Sequence, residues 1–365
     1  MIDWDFAVTT GTRLVRSGPS VTRDEAREAV ADLRGHAAAA RRHVREHTGL
    51  VAADNGSPLA VIDRPGWVRA NAEAFRTLLD PVVVKLAARR ATEPSKMNVA
   101  VGSRVTALET GAILAFLAGK VLGQYELFPP PGPDGTRPQG RLLLVAPNIV
   151  AAEREMDVDR RDFRLWVCLH EETHRVQFGA NPWLREHLLS EIQALLDATD
   201  VDPSAVLRRL AAAAGAIGEA VRGEPGATSL LEAVQTPEQR AILERVTAVM
   251  SLLEGHADVV MDGVGPSVIP TVDEIRARFQ DRRAGAGRLE QVFRRLIGLD
   301  AKMRQYRDGA RFCRSVIETV GMTGFNRVWT SPETLPTPAE IADPDAWVRR
   351  VHGSPAIAAG DAALA

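Results

Sequence analysis

Two histidines four residues apart, with a glutamate beside the first, stand at His170-Glu171-Glu172-Thr173-His174. On a helix, positions i and i+4 lie one above the other on one face. His170 and His174 can therefore offer two imidazole nitrogens to one metal ion, at roughly 2.0–2.1 Å each for zinc. Glu171 lies one residue round the helix. There a carboxylate can take a proton from a water activated by the metal, the general-base role in metal-assisted hydrolysis. Composition alone yields such a match about 0.02 times in a chain of 365 residues, so the motif is fairly specific.

The surrounding residues must bury this motif. At about 100° per residue, Phe163, Trp166, Val167 and Phe178 share the histidine face, while Leu165, Leu169 and Val176 make the opposite face apolar. A helix apolar on both sides is central to a core, and two histidines there need partners. One metal ion would satisfy both; the alternative is a pair of core histidines bonded to nearby groups. Asp157 or Asp159 is expected to cap the helix, and Gly179 with Pro182 to end it near Phe178.

A catalytic zinc takes three protein ligands and keeps one position open. In one class of sites the motif continues with a glycine and a third histidine, but the corresponding positions here are Gln177 and Ala180. The third ligand must come from elsewhere. Thr236-Pro237-Glu238-Gln239 is a strong helix start, with Thr at the cap, Pro at the first position and Gln at the third. Ile242, Val246, Val249, Met250, Leu253, Ala257 and Val260 form the apolar stripe of the helix that follows. Glu254 and Asp258 share a face beside that stripe at i, i+4. Glu254 is assigned as the third ligand, and Asp258 as acceptor of the other ring N–H of a ligand histidine. His256, on the same helix, is the competing ligand, and a solvated acidic edge is the bland alternative.

A second match, His43-Val44-Arg45-Glu46-His47, has the inverted zinc spacing. Its neighbours Arg41, Arg42 and Arg45 would repel a cation, and no apolar stripe is evident under the histidines. It reads as the solvated end of a helix over residues 21–47, started near Asp24 and Glu25 and stopped by Gly49.

Residues 65–86 read as a helix interrupted near Pro81, and 110–123 as an apolar helix. Residues 125–128 and 140–146 look like two short strands joined by the loop PPPGPDGTRPQ. A strand followed by the motif helix is the order expected where an edge strand borders a cleft. Such an edge could pair with an extended peptide, or the two strands could be a plain structural hairpin. Residues 184–220 and 289–320 are expected to be helical. The organisation expected is an N-terminal helical subdomain (1–95), a main domain (96–350) and a loosely ordered tail (351–365).

The balance of 45 basic and 47 acidic residues leaves a net charge of −2, which argues against nucleic acid or an anionic membrane as partner. Two cysteines, Cys168 and Cys313, exclude a disulfide framework and fit a reducing, cytoplasmic setting. No secretory signal is visible, and the most apolar stretch, 111–121, is too short to span a bilayer. Nothing in the pattern bears on the oligomeric state.

HEETH with a downstream Glu-x-x-x-Asp on a second helix resembles the gluzincin branch of the zincin metallopeptidases. HEETHRVQF together with MSLLEGHADVVMD and KMRQYRDGARFC also resembles an actinobacterial zincin-like family often labelled as associated with deazaflavin coenzyme biosynthesis. The resemblance covers roughly residues 1–350. It implies an α+β, predominantly helical fold, with a zincin-like catalytic domain whose small sheet borders the motif helix. It also implies a zinc cofactor and a tyrosine or histidine donor for the oxyanion. The chain has only Tyr125 and Tyr306, and Tyr306 is the candidate because Arg304 and Arg307 flank it.

Three functions compete. The leading one is a zinc-dependent peptidase acting on a peptide or protein, with Glu171 as general base. The second is a zinc-binding module of the same fold without appreciable turnover. The third is a di-iron helical bundle using Glu171-x-x-His174, which needs a second Glu-x-x-His element that no suitable apolar helix supplies.

Overall fold

The computed structural model describes residues 2–52, 58–88, 96–130, 135, 138–198, 235–284 and 299–353. The chain divides into two compact units, one of Met1–Arg185 with Val260–Glu290 and the other of Glu186–Val259 with Gln291–Ala365.

The first unit contains α1 (Trp4–Leu14), α2 (Arg23–Thr48), β1 (Leu59–Ile62), α3 (Arg64–Ala88), α4 (Lys96–Ala118), β2 (Gly123–Glu126), β3 (Arg141–Val145), α5 (Ala146–Met156) and α6 (Arg160–Ala180). The last turn of α8 (Pro237–Val264) and α9 (Val272–Ala284) complete it. The expected α+β, predominantly helical architecture is what the chain adopts: one three-stranded sheet in the order β1-β3-β2 among helices.

Helix α2 lies close to its expected bounds and stops at Gly49 as expected, while its start is set by a cap that the sequence reading did not name. Thr22 and Glu25 form a reciprocal capping box, with Thr22 N–H to Glu25 Oε2 at 2.7 Å, and Gly49 closes the helix at φ 69°. The expected break at Pro81 does not occur, since α3 runs on to Ala88. A proline removes one hydrogen bond from a helix, and tertiary packing can carry the remainder.

The strand pair expected near 125–128 and 140–146 is present as the antiparallel β2 and β3, but β3, expected as the edge strand leading into the motif helix, is the central strand, because β1 pairs with its other side. Several elements went unforeseen, among them α1, α9, β1 and α5. β1 is a run of four residues without alternation, and it becomes a strand because β3 pairs with it in parallel. Helix α5 takes over at Ala146, where Pro147 stands in the first turn. The Asn148 amide then donates to the Ala118 and Val121 carbonyls at 2.8 and 2.6 Å. Asp157, one of two expected caps for the motif helix, instead closes α5 in the left-handed region.

The two faces of the sheet have separate duties. Leu144 joins the core of Phe163, Leu165, Trp166, Val167 and Leu169 from α6 and Val260, Met261 and Val264 from α8. Val145 points the other way, to Trp4, Trp67, Val68 and Leu114 of α1, α3 and α4. In the register of β2 on β3, Gly123 faces Leu144 and Tyr125 faces Leu142. Gly123 and Tyr125 therefore lie on the α6 side, with Gln124 and Glu126 on the other. Tyr125 stacks on Phe178 of α6 at 5.7 Å, and Gln124 donates to Asn71 of α3.

The second unit holds most of α7 (Pro182–Asp197), α8 as far as Val259, α10 (Leu299–Phe325), and the short helices α11 (Pro338–Ala342) and α12 (Pro344–His352). Thr236 and Gln239 cap α8 reciprocally at 2.9 and 3.1 Å, the start predicted from TPEQ. Helices α8 and α10 cross with their backbones in contact: a Cβ at Gly255 would collide with Gly309, and one at Gly309 with Ser251. Residues 199–234, 285–298 and 354–365, which include much of the helices expected over 184–220 and 289–320 and most of the expected tail, lie outside the described residues. Among the described residues no helix is long and apolar enough to cross a membrane.

Candidate metal centre

Helix α6 is fixed before it reaches its histidines. Asp159 caps it, accepting from Asp162 N–H at 2.9 Å. Asp162 in turn accepts from the Thr271 N–H at 3.0 Å and hydroxyl at 2.7 Å. Arg164 grips Glu153 of α5 with two hydrogen bonds, at 2.9 and 2.7 Å, and Asp32 of α2 at 2.7 Å. Cys168 is fully buried, its S–H directed at the Leu33 carbonyl. Nearly every residue from Asp162 to Gly179 is buried, so the helix is central, as its two apolar faces require.

His170 and His174 are part-exposed members of that helix. Their Nε2 atoms stand 3.2 Å apart, with rings edge to face at 88°. Two nitrogens bound at 2.0–2.1 Å to a tetrahedral ion stand about 3.3–3.4 Å apart. The pair is therefore spaced as ligands of one zinc. His174 Nδ1 lies 2.9 Å from Gln177 Oε1. The amide oxygen accepts only, so Nδ1 carries the proton and Nε2 presents its lone pair. His170, His174 and Glu254 each offer one ligand atom, and these three atoms lie within 4.8 Å of one another. Among the described residues no other group of three His, Cys, Asp or Glu side chains could hold a metal.

The competing histidine lies elsewhere. His256 is fully buried and stacks on Phe325 at 5.3 Å, with Trp329 edge-on at the same distance. Two residues along a helix is about 200°, so His256 and Glu254 face opposite sides of α8. Asp258 was expected to accept the other ring N–H of a ligand histidine; on His174 that nitrogen is taken by the amide of Gln177. Gln177 was missed as a functional residue, although an amide at i+3 on the same helix face carried the signal. The backbone of Tyr306 is helical within α10, but its side chain lies outside the described residues.

The second histidine pair is less exposed than expected. The face of α2 carrying Ala29, Leu33, Ala37, Ala40 and Val44 is buried, and α2 packs on α6. His47 is half-buried against Gly263, where desolvation lowers its pKa. The alanines make an apolar stripe too small to register as one, and it packs closely because they are small. His43 Nδ1 pairs with Glu46 at 3.8 Å.

Glu172, two residues from each histidine along α6, faces away from the candidate ligands. Burial pushes its carboxyl up to about 7, against the pull of Arg175 at 2.8 Å and of Arg41. An acid whose folded pKa is raised contributes stability that is full below about 4.5 and lost as pH rises through 7. Glu172→Gln is therefore expected to flatten the stability profile across that window. The difference from the wild type between pH 4.5 and 8, read by urea unfolding, should be on the order of 2–3 kcal/mol. Parallel profiles would show that Glu172 ionises freely in the fold.

A protein from Chloroflexus aurantiacus, whose crystal structure is described as that of a candidate hydrolase with a novel fold, is similar over 97% of this chain and 100% of its own. The two share 28% identity and superpose with a TM-score of 0.69. No curated protein matches the chain. The profile described as zincin-like metallopeptidase matches residues 2–348, a span that includes the motif helix, the sheet beside it and Glu254. The chain belongs to the zincin-like metallopeptidase family.

Proposed function

We propose that this chain is a zinc-dependent peptidase, with His170, His174 and Glu254 as ligands and Glu171 as general base. The observation that carries the reading is the convergence of the three ligand atoms within 4.8 Å, two of them nitrogens at tetrahedral spacing. When bound there, zinc supplies a Lewis acid that lowers the pKa of a water and polarises a carbonyl. The protein's own groups do the rest. Glu171, next to His170 and almost buried, takes a proton from the attacking water and delivers it to the leaving amine. Gln177 holds the His174 ring in the ligating tautomer.

The substrate class that best suits the surroundings is an extended peptide. In the order β1-β3-β2, strand β2 is at the edge of the sheet, and it runs beside α6 with Tyr125 against Phe178. An edge strand offers backbone N–H and C=O groups to a peptide laid along it. Tyr306 remains the proposed oxyanion donor, and the near-neutral charge and the two free cysteines keep the proposal to a cytoplasmic setting without nucleic acid.

The test is metal content by mass spectrometry together with cleavage of a fluorogenic peptide library. One zinc per chain with chelator-sensitive cleavage is expected. Stoichiometric zinc without cleavage would leave a zinc-binding module, and a metal-free wild type would overturn both readings. Gln177→Ala should retain the site but weaken zinc about 10–100-fold in competition with a chromophoric chelator. Unchanged affinity would show that the Gln177 contact does not orient His174.

A further inference from the structure

We infer that Gly123 is a positioning residue for Glu171: the missing side chain at this point of β2 is what gives the Glu171 carboxylate its place. The inference rests on the peptidase reading for its catalytic meaning and on geometry for the contact itself. A Cβ built on Gly123 would stand 2.6 Å from both Cγ and Cδ of Glu171 and 2.7 Å from its Oε1. Real Cβ atoms do not approach other atoms so closely. The three nearest atoms all belong to the Glu171 side chain.

That selectivity is informative. The distance between β2 and α6 is held one pleat further on, where Tyr125 stacks on Phe178. It is held on the neighbouring strand by Leu144, which lies opposite Gly123 and is fully buried in the α6 core. An added methyl group at 123 would thus meet a side chain that can rotate away, while strand and helix stay where they are. The fold would survive and the carboxylate would move. Glycine is also a poor choice for a strand on local grounds, since it has no side chain to pack and loses the most backbone freedom. Its φ is not in the left-handed region here, so no turn or strain requires it. Close approach to Glu171 is the requirement that remains.

Register gives the position its meaning. Side chains alternate across a strand, so Gly123 faces α6 and Gln124 faces Asn71 on α3. A slip by one residue would put the Gln124 side chain on Glu171. The hydrogen bond from Gln124 to Asn71 at 3.1 Å and the stack of Tyr125 hold the register that leaves the gap over the carboxylate.

The experiment is a double-mutant cycle between Gly123→Ala and Glu171→Ala or Glu171→Gln, with three readouts: zinc content, melting temperature and peptide hydrolysis. Gly123→Ala should keep its zinc and its KM while kcat falls about 10²-fold, the scale of a 1 Å misplacement of a reacting group. It should cost nothing further in kcat when Glu171 is already Gln, because the two act as one unit. In thermal melts Gly123→Ala should be more favourable when Glu171 is Ala than in the wild type, because the colliding atoms are gone. Equal melting shifts in both backgrounds, or an undiminished kcat in Gly123→Ala, would overturn the inference. A wild type that cleaves no peptide would overturn the peptidase reading alone, and the melting cycle would still decide whether Gly123 places Glu171.

Discussion

Glu171→Gln is expected to keep one zinc per chain and to lose peptide hydrolysis by about 10²–10⁴-fold in kcat/KM. Glutamine has the shape of glutamate, so the buried pocket beside Gly123 is filled as before. The ligand set His170, His174 and Glu254 is untouched, as is the Gln177 contact to His174. What the amide lacks is a lone pair basic enough to take a proton. Steady-state kinetics beside metal analysis of the same preparation separates the two properties. A variant that still hydrolyses peptides at the wild-type rate would remove Glu171 from the mechanism, whatever its zinc content. Simultaneous loss of zinc and activity would instead mark Glu171 as part of the metal's support.

The second large effect is on the metal. His174→Ala removes one of two nitrogens 3.2 Å apart and leaves Gln177 without its ring, so zinc should be lost. Glu254→Ala leaves both nitrogens and should weaken binding without abolishing it. His256→Ala should keep its zinc and lose stability, because His256 packs against Phe325 and Trp329. Thermal melts with and without excess zinc report the same contrast. Zinc at a thousandfold over its Kd stabilises the native state by about 4 kcal/mol, and a protein without the site gains nothing. Wild type and His256→Ala should therefore melt higher with zinc, and His174→Ala should not respond. If His256→Ala lost zinc and Glu254→Ala retained it at full affinity, the third ligand would have been misassigned.

Much of this was legible because it is local. A helix cap needs only the three or four residues that form it, and Asp159 with Asp162 and Thr236 with Gln239 bond as their spacing requires. A pair at i, i+4 shares a helix face whatever surrounds it, which is why His170 with His174, and Glu254 with Asp258, could be named in advance. The burial of α6 followed from apolar residues on both of its faces.

What failed to show was set by distant partners. Four residues of β1 have no pattern of their own and are a strand because β3 lies alongside. The alanine face of α2 gave no hydrophobic signal, yet it is buried against α6 because small side chains let two helices close in. Glu254 and His256 could not be separated along α8 by spacing alone. The aromatic pair from a later part of the chain draws His256 to one side, and the group of side chains that could hold a metal includes Glu254 on the other. Gly123 reads as a weak strand residue until the register of β2 sets it over Glu171. The amino-acid order by itself determined the chemistry on offer, since helical geometry converts a four-residue spacing into a face with two imidazoles side by side. Only the tertiary structure decided which carboxylate joins the two histidines in a candidate metal group and what space is left to Glu171. Those are contacts between residues far apart in the chain, and no local rule contains them.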